Sequence, residues 1–134
     1  MNNARTFWPT SREFVRYWLP VIAYAALMFS ISSLPIRLRR VPFRHYDKVF
    51  HFFEYGIYAW LWYRALKGAT SLSSWARIAI ATVLICTVFG VMDELYQVYT
   101  PYRTTDIYDL AADAFGSFAA VILAVIVLDI RVRS

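Results

Sequence analysis

The stretch VMDELYQVYTPYRTTDIYDLAADAFG, residues 91–116, decides how this chain is read. It joins two runs apolar enough for lipid, yet it carries Asp93, Glu94, Asp106, Asp109 and Asp113. A charge at the bilayer centre costs at least about 2.5–3.5 kcal/mol on insertion scales, so acids in such sequence need partners or a function. Outward from this stretch, apolar runs recur along the whole chain. Four of them, at about 17–34 (closed by Pro35), 47–66, 75–99 and 107–130, approach the roughly 20 residues that span a hydrocarbon core. The expectation is an all-α integral membrane four-helix bundle forming one transmembrane domain over residues 1–134.

Composition agrees with that reading. The chain is 60% hydrophobic and 19% aromatic, more than a soluble domain of this length uses for its core. Its 14 basic residues give a net charge of +5, but they fall in short groups between the apolar runs. With no RNA- or DNA-binding signature among them, they read as membrane-surface residues, not as a nucleic-acid interface. Cys86, the single cysteine, lies inside an apolar run and reads as a small core residue. Arg5, Arg12 and Arg16 ahead of the first span resemble a signal sequence. With three further spans behind it, an uncleaved signal-anchor is expected.

Alternating spans put both termini on one side, with Arg5, Arg12, Arg16, Arg64, Lys67, Arg77, Arg131 and Arg133. The opposite side holds Arg37, Arg39, Arg40, Arg44, Lys48 and Arg103. Eight against six favours cytoplasmic termini under the positive-inside rule. That opposite side also holds seven of the nine acids.

At about 100° per residue, Asp47, His51, Glu54 and Tyr58 share one face of the second span. Asp93 and Gln97 share a face of the third with Cys86 and Gly90, with Glu94 at its margin. On the fourth, Asp106, Asp109, Asp113, Gly116 and Ala120 line up. A rise of about 1.5 Å per residue sorts these side chains into layers. Glu54, Asp93 and Asp113 lie deep; His51, Gln97 and Asp109 are in the middle; Asp47, Lys48, Arg44 and Arg103 form a rim. Three stripes at matched depth imply one polar cavity open to the non-cytoplasmic side.

Each residue also has an ordinary reading. Asp106 suits an N-cap and Asp109 the first turn of a helix. Asp47 and Lys48 suit the interface, and Glu94 suits a pair with Arg103. Tyr96, Tyr99, Tyr102, Tyr108, Trp60, Trp62 and Trp75 suit aromatic belts. Gly116 with Ala120 is a small-xxx-small packing spacing.

Read as chemistry, His51, Glu54, Asp93, Glu94 and Asp113 are the candidate catalytic groups, with His51 as general acid or base. Arg44, Asp47, Lys48, Gln97, Arg103 and Asp109 are the candidate binding residues. Arg44, Lys48 and Arg103 suit phosphate. Glu54, Asp93 and Asp113 could hold a divalent cation, and such oxygen ligands favour Mg²⁺, Mn²⁺ or Ca²⁺.

In order and spacing, Asp47-Lys48-x-x-His51 with Tyr55, then Asp93-Glu94-x-x-Gln97-x-Tyr99-x-Pro101-x-Arg103, then Asp109, Asp113 and Gly116, resemble the VanZ-like family of small bacterial membrane proteins. The resemblance covers roughly residues 20–125. This chain departs from the pattern at Tyr102, where the family pattern has Gly, at Asp113, where many members have Asn, and at Ala120, where Gly is expected. The family is named for a protein associated with resistance to the glycopeptide teicoplanin. The resemblance implies a four-span protein of the bacterial inner membrane, linked to the cell envelope, and supplies no reaction. The reading that follows is binding or modification of an anionic, phosphate-bearing membrane lipid. An accessory or assembly protein with a structural polar cluster is the alternative, and a proton-coupled transporter, which four spans would form only as an oligomer, is another.

Overall fold

Thr10 and Glu13 open the first helix with a reciprocal cap. The Glu13 N–H donates to the Thr10 hydroxyl at 3.3 Å, and the Thr10 N–H donates to the Glu13 carboxylate at 2.9 Å. In the computed structural model, which describes residues 9–34, 46–72, 74–101 and 106–130, this helix, α1, runs Ser11–Ser32. Pro20 has no N–H to give the Arg16 carbonyl four residues back. The preceding turn, Phe14–Trp18, widens to a π-helical pitch, and Arg64 of the next helix donates across to the freed Arg16 carbonyl at 2.5 Å.

Three more helices follow: α2, Tyr46–Ala69; α3, Trp75–Gln97; and α4, Ile107–Ile130. Asp106 is the N-cap of α4, its carboxylate accepting from the Tyr108 N–H at 2.9 Å. The described residues contain no strand.

The distribution of side chains is that of a membrane protein. Phe50 is 70% exposed, and Phe53, Leu84, Val88, Leu95, Phe115 and Phe118 also face outward. Asp93, Glu94, Gln97, Asp109, Asp113 and Ser117 are buried. Water would reverse that pattern, whereas lipid enforces it.

Helices α1, α3 and α4 are each long and apolar enough to cross a membrane. The expected second span is the exception by composition. Helix α2 has 24 residues, but Asp47, Lys48, His51, Glu54, Arg64 and Lys67 dilute its apolar sequence. It is the central helix and packs on all three others. Its charged side chains find partners there, so its membrane compatibility comes from the bundle rather than from the helix alone.

Contact between α2 and α4 is closest at Gly116. A Cβ built there would lie 2.0 Å from the Phe52 carbonyl oxygen and 3.0 Å from the Phe52 Cα. The sequence reading of Gly116 as a packing residue is what the backbone requires. Below this crossing, Tyr55, Tyr58, Tyr63, Ile78, Cys86 and Val121 build the apolar core.

Candidate functional site

Alternation along the chain predicts that the end of α1, the start of α2, the end of α3 and the start of α4 meet. They do. The Ser33 hydroxyl of α1 donates to Tyr96 of α3 at 3.3 Å, and Lys48 of α2 reaches α4. Almost every polar group expected to matter gathers beneath this junction.

Lys48 is its outermost described cation. Its ammonium donates to Asp47 at 3.0 Å, Asp106 at 2.7 Å and Asp109 at 2.8 Å. The four-carbon stem suits this position, because it carries the charge from α2 to the first turn of α4. Asp106 thus caps its helix and also binds Lys48. Asp109, read as a first-turn acid, is buried and forms the inner partner of the lysine.

One turn deeper, His51 Nδ1 lies 2.9 Å from Asp113 Oδ1. His51 is three residues along α2 from Lys48, and Asp113 is four along α4 from Asp109, so two neighbouring helices repeat one pairing at two depths. Asp113 is only 1% exposed, and its second oxygen, Oδ2, meets no hydrogen-bond partner among the described residues. Gly90 of α3 makes room for it: a Cβ there would come within 3.1 Å of that oxygen. The Tyr55 hydroxyl, also buried, is likewise without a partner among the described residues.

Helix α3 closes the pocket. Asp93 Oδ2 accepts from the Ser32 hydroxyl of α1 at 3.0 Å and from the Gln97 amide at 3.1 Å. Glu94 is 8% exposed; its Oε2 accepts the Asp106 N–H at 3.1 Å. Asp93 Oδ1 and Glu94 Oε1 have no hydrogen-bond partner among the described residues. A buried carboxylate oxygen without a donor carries a desolvation cost that a cation or an N–H or O–H group would relieve.

His51, Asp93, Glu94, Gln97, Asp109 and Asp113 therefore gather in one buried cluster, with Asp47 and Lys48 at its rim. Glu54 is half-buried on α2, where its main-chain carbonyl accepts from Tyr24 of α1 at 3.3 Å. The expected cation trio Glu54, Asp93 and Asp113 is not brought together. Ligand atoms of His51, Glu94 and Asp109 instead lie within 4.8 Å of one another, as do those of Asp47, Asp106 and Asp109. Arg44 and Arg103 lie outside the described residues, as does Tyr102.

The sequence reading did not find two contributors. Ser32 ends an apolar span, and only its neighbourhood to Asp93 across the bundle gives it a role. Asp129, near the other end of α4, is buried between the Tyr63 hydroxyl, at 2.6 Å, and Lys67, with which it forms an ion pair. Its signal was a lone acid among apolar residues, two and four positions before Arg131 and Arg133.

A family model described as VanZ/LLP1 matches residues 4–128, nearly the whole chain, and the chain belongs to that family. It is also similar to an uncharacterized protein, C11E3.10, of the fission yeast Schizosaccharomyces pombe. The two are 29% identical over 111 residues, covering 79% of this chain and 63% of the yeast protein, so this chain spans less than two thirds of that relative's length. No solved structure matches.

Proposed function

We propose that this VanZ/LLP1 membrane protein binds, and acts on, a lipid bearing a phosphate headgroup, with the polar pocket facing the non-cytoplasmic side of a bacterial inner membrane. One observation supports the reading: an apolar groove suited to an acyl chain lies on α2 and α4, the two helices that carry the His51–Asp113 pair. The groove, about 440 Å³, is lined by Phe52, Gly56, Trp60, Gly116, Ala120 and Leu123 of α2 and α4. It begins one residue from His51 and three from Asp113, then runs away from the rim. Its volume falls in the usual range for a ligand site. A molecule with a charged head and a hydrocarbon tail matches both halves. Lys48 supports phosphate binding at the rim, with Arg44 and Arg103 as further candidates from sequence.

A relative in a fission yeast favours chemistry common to many membranes, such as a phospholipid phosphate, over the target of one antibiotic class. On this reading, any change in glycopeptide susceptibility, teicoplanin included, follows from altered envelope lipid. The internal pairs His51–Asp113 and Lys48–Asp109 favour a second reading, an accessory protein whose polar cluster only holds helices together.

Asp93→Asn separates the two. The amide keeps an oxygen to accept from Ser32 and Gln97, so the fold should persist with a near-parental melting temperature. Bound-lipid mass spectrometry of detergent-solubilised protein should show retention lowered by about tenfold, equivalent to roughly 1.4 kcal/mol. Unchanged retention together with a lower melting temperature would favour the structural reading. Orientation is tested with one cysteine at Ser33 in a Cys86→Ala background. It should react with a membrane-impermeant thiol reagent applied from outside the cell, and reaction from the cytoplasmic face alone would reverse the topology.

A further inference from the structure

We infer that His51, Glu94 and Asp109 form a binding site for a single divalent transition-metal ion, Mn²⁺ or Zn²⁺. The inference deepens the lipid-phosphate reading and rests on it for the ion's purpose, though not for the ion's existence.

The geometry comes first. The three residues come from three helices, and one ligand atom of each lies within 4.8 Å of the others. Three ligands at about 2.0–2.2 Å from one ion lie roughly 3.0–3.6 Å from one another, so the three side chains close on an ion by rotamer shifts of about an ångström. Since Asp113 engages Nδ1 of His51, Nε2 is the nitrogen left to bind. This is the arrangement in which a carboxylate orients a metal-ligating histidine from behind, and Asp113, nine-tenths or more buried, is a positioning residue of that kind. Asp109 uses Oδ1 for Lys48, which leaves its other oxygen for the ion.

The second observation is Glu94. Its side chain is more than nine-tenths buried, and Oε1 has no hydrogen-bond partner among the described residues. A buried carboxylate oxygen near a histidine and another carboxylate has the chemistry of a cation ligand.

The competing trio explains why the site is here and not at the rim. Asp47, Asp106 and Asp109 also lie within reach of one ion. The Lys48 ammonium already stands 2.7–3.0 Å from all three, so that cluster has its cation. No lysine or arginine among the described residues forms an ion pair with Glu94. One imidazole with two carboxylates is a mixed donor set, which suits Mn²⁺ and Zn²⁺ better than Ca²⁺. An ion there also resolves a conflict in the lipid reading, because an acid-rich pocket repels phosphate until a cation bridges them.

The test uses the full chain in detergent, stripped with EDTA and titrated with MnCl₂, with free Mn²⁺ followed by electron paramagnetic resonance and Zn²⁺ as competitor. One saturable site is expected, with ¹⁴N coupling from the imidazole in the bound-ion spectrum. His51→Gln should abolish that coupling. Glu94→Gln should weaken binding more than tenfold, and Asp113→Asn, acting through His51, by about 10–100-fold. Glu13→Gln, in the cap that opens α1, should leave affinity unchanged. Absence of saturable binding by the parent, a bound spectrum without nitrogen coupling, or loss on Asp47→Asn instead of Glu94→Gln would each overturn the site. Lipid retention measured with and without EDTA separates the two ideas. Metal bound without lipid retains the site and removes its proposed purpose, whereas lipid retained by a protein that binds no metal does the reverse.

Discussion

Gly116→Ala should abolish the folded bundle, while Gly56→Ala should be tolerated. The two glycines face each other across α2 and α4, but their surroundings differ. At Gly116 a methyl group would lie 2.0 Å from the Phe52 carbonyl oxygen and 2.8 Å from its carbon, both backbone atoms that no rotamer change can move. The helices would have to part by an ångström or more. At Gly56 the nearest atom would be the Gly116 oxygen at 3.4 Å, with the others at 3.9 and 4.0 Å, which is ordinary contact. Overpacking a core costs typically about 1–3 kcal/mol, and a backbone clash belongs at or above the top of that range. Separation also pulls Asp113 from His51, a pair 2.9 Å long one turn away. Membrane abundance and thermal melting in detergent measure the outcome. Equal behaviour of the two variants would show that α2 and α4 do not cross at Gly116.

Lys48→Met comes second. It removes the single ammonium among Asp47, Asp106 and Asp109 while keeping the stem's packing. Breaking a buried pair by deleting one partner costs roughly 3–5 kcal/mol, because the remaining charge stays buried. Asp109 is buried, but the lysine side chain is 21% exposed, which places the expected loss at the low end of that range. Lys48→Arg should recover most of it. The double variant Lys48→Met/Asp109→Asn should be more stable than Lys48→Met alone, since it removes the stranded charge. A double variant less stable than either single one would mean that Lys48 and Asp109 act separately.

Helical spacing made much of the site legible. Positions about 100° apart put His51 on the face that meets α4 and Asp113 on the face that meets α2, and the structure joins them. Lys48 was assigned to the rim and Asp109 to the layer below, and the lysine stem joins the two layers. Glu94 was assigned to the margin of its stripe. A wheel fixes the direction of Cβ, whereas a glutamate has two more torsions with which to swing inward and accept the Asp106 N–H. The cation trio was chosen by depth, which orders residues along the membrane normal and says nothing of their position around it. Ser32 was hidden for a different reason: a hydroxyl in an apolar span bonds its own helix as readily as a neighbour, and only the approach of α3 decides.

Helix α2 carries a consequence for how the protein is made. Its Lys48 and His51 find their acids, Asp109 and Asp113 on α4, 61 and 62 residues further along the chain. At synthesis rates of roughly 5–20 residues per second, α2 exists for some seconds before those partners do. It is also the helix least able to enter lipid alone. Insertion of this chain is therefore not a sequence of independent steps; α2 completes its entry only when the last hairpin arrives.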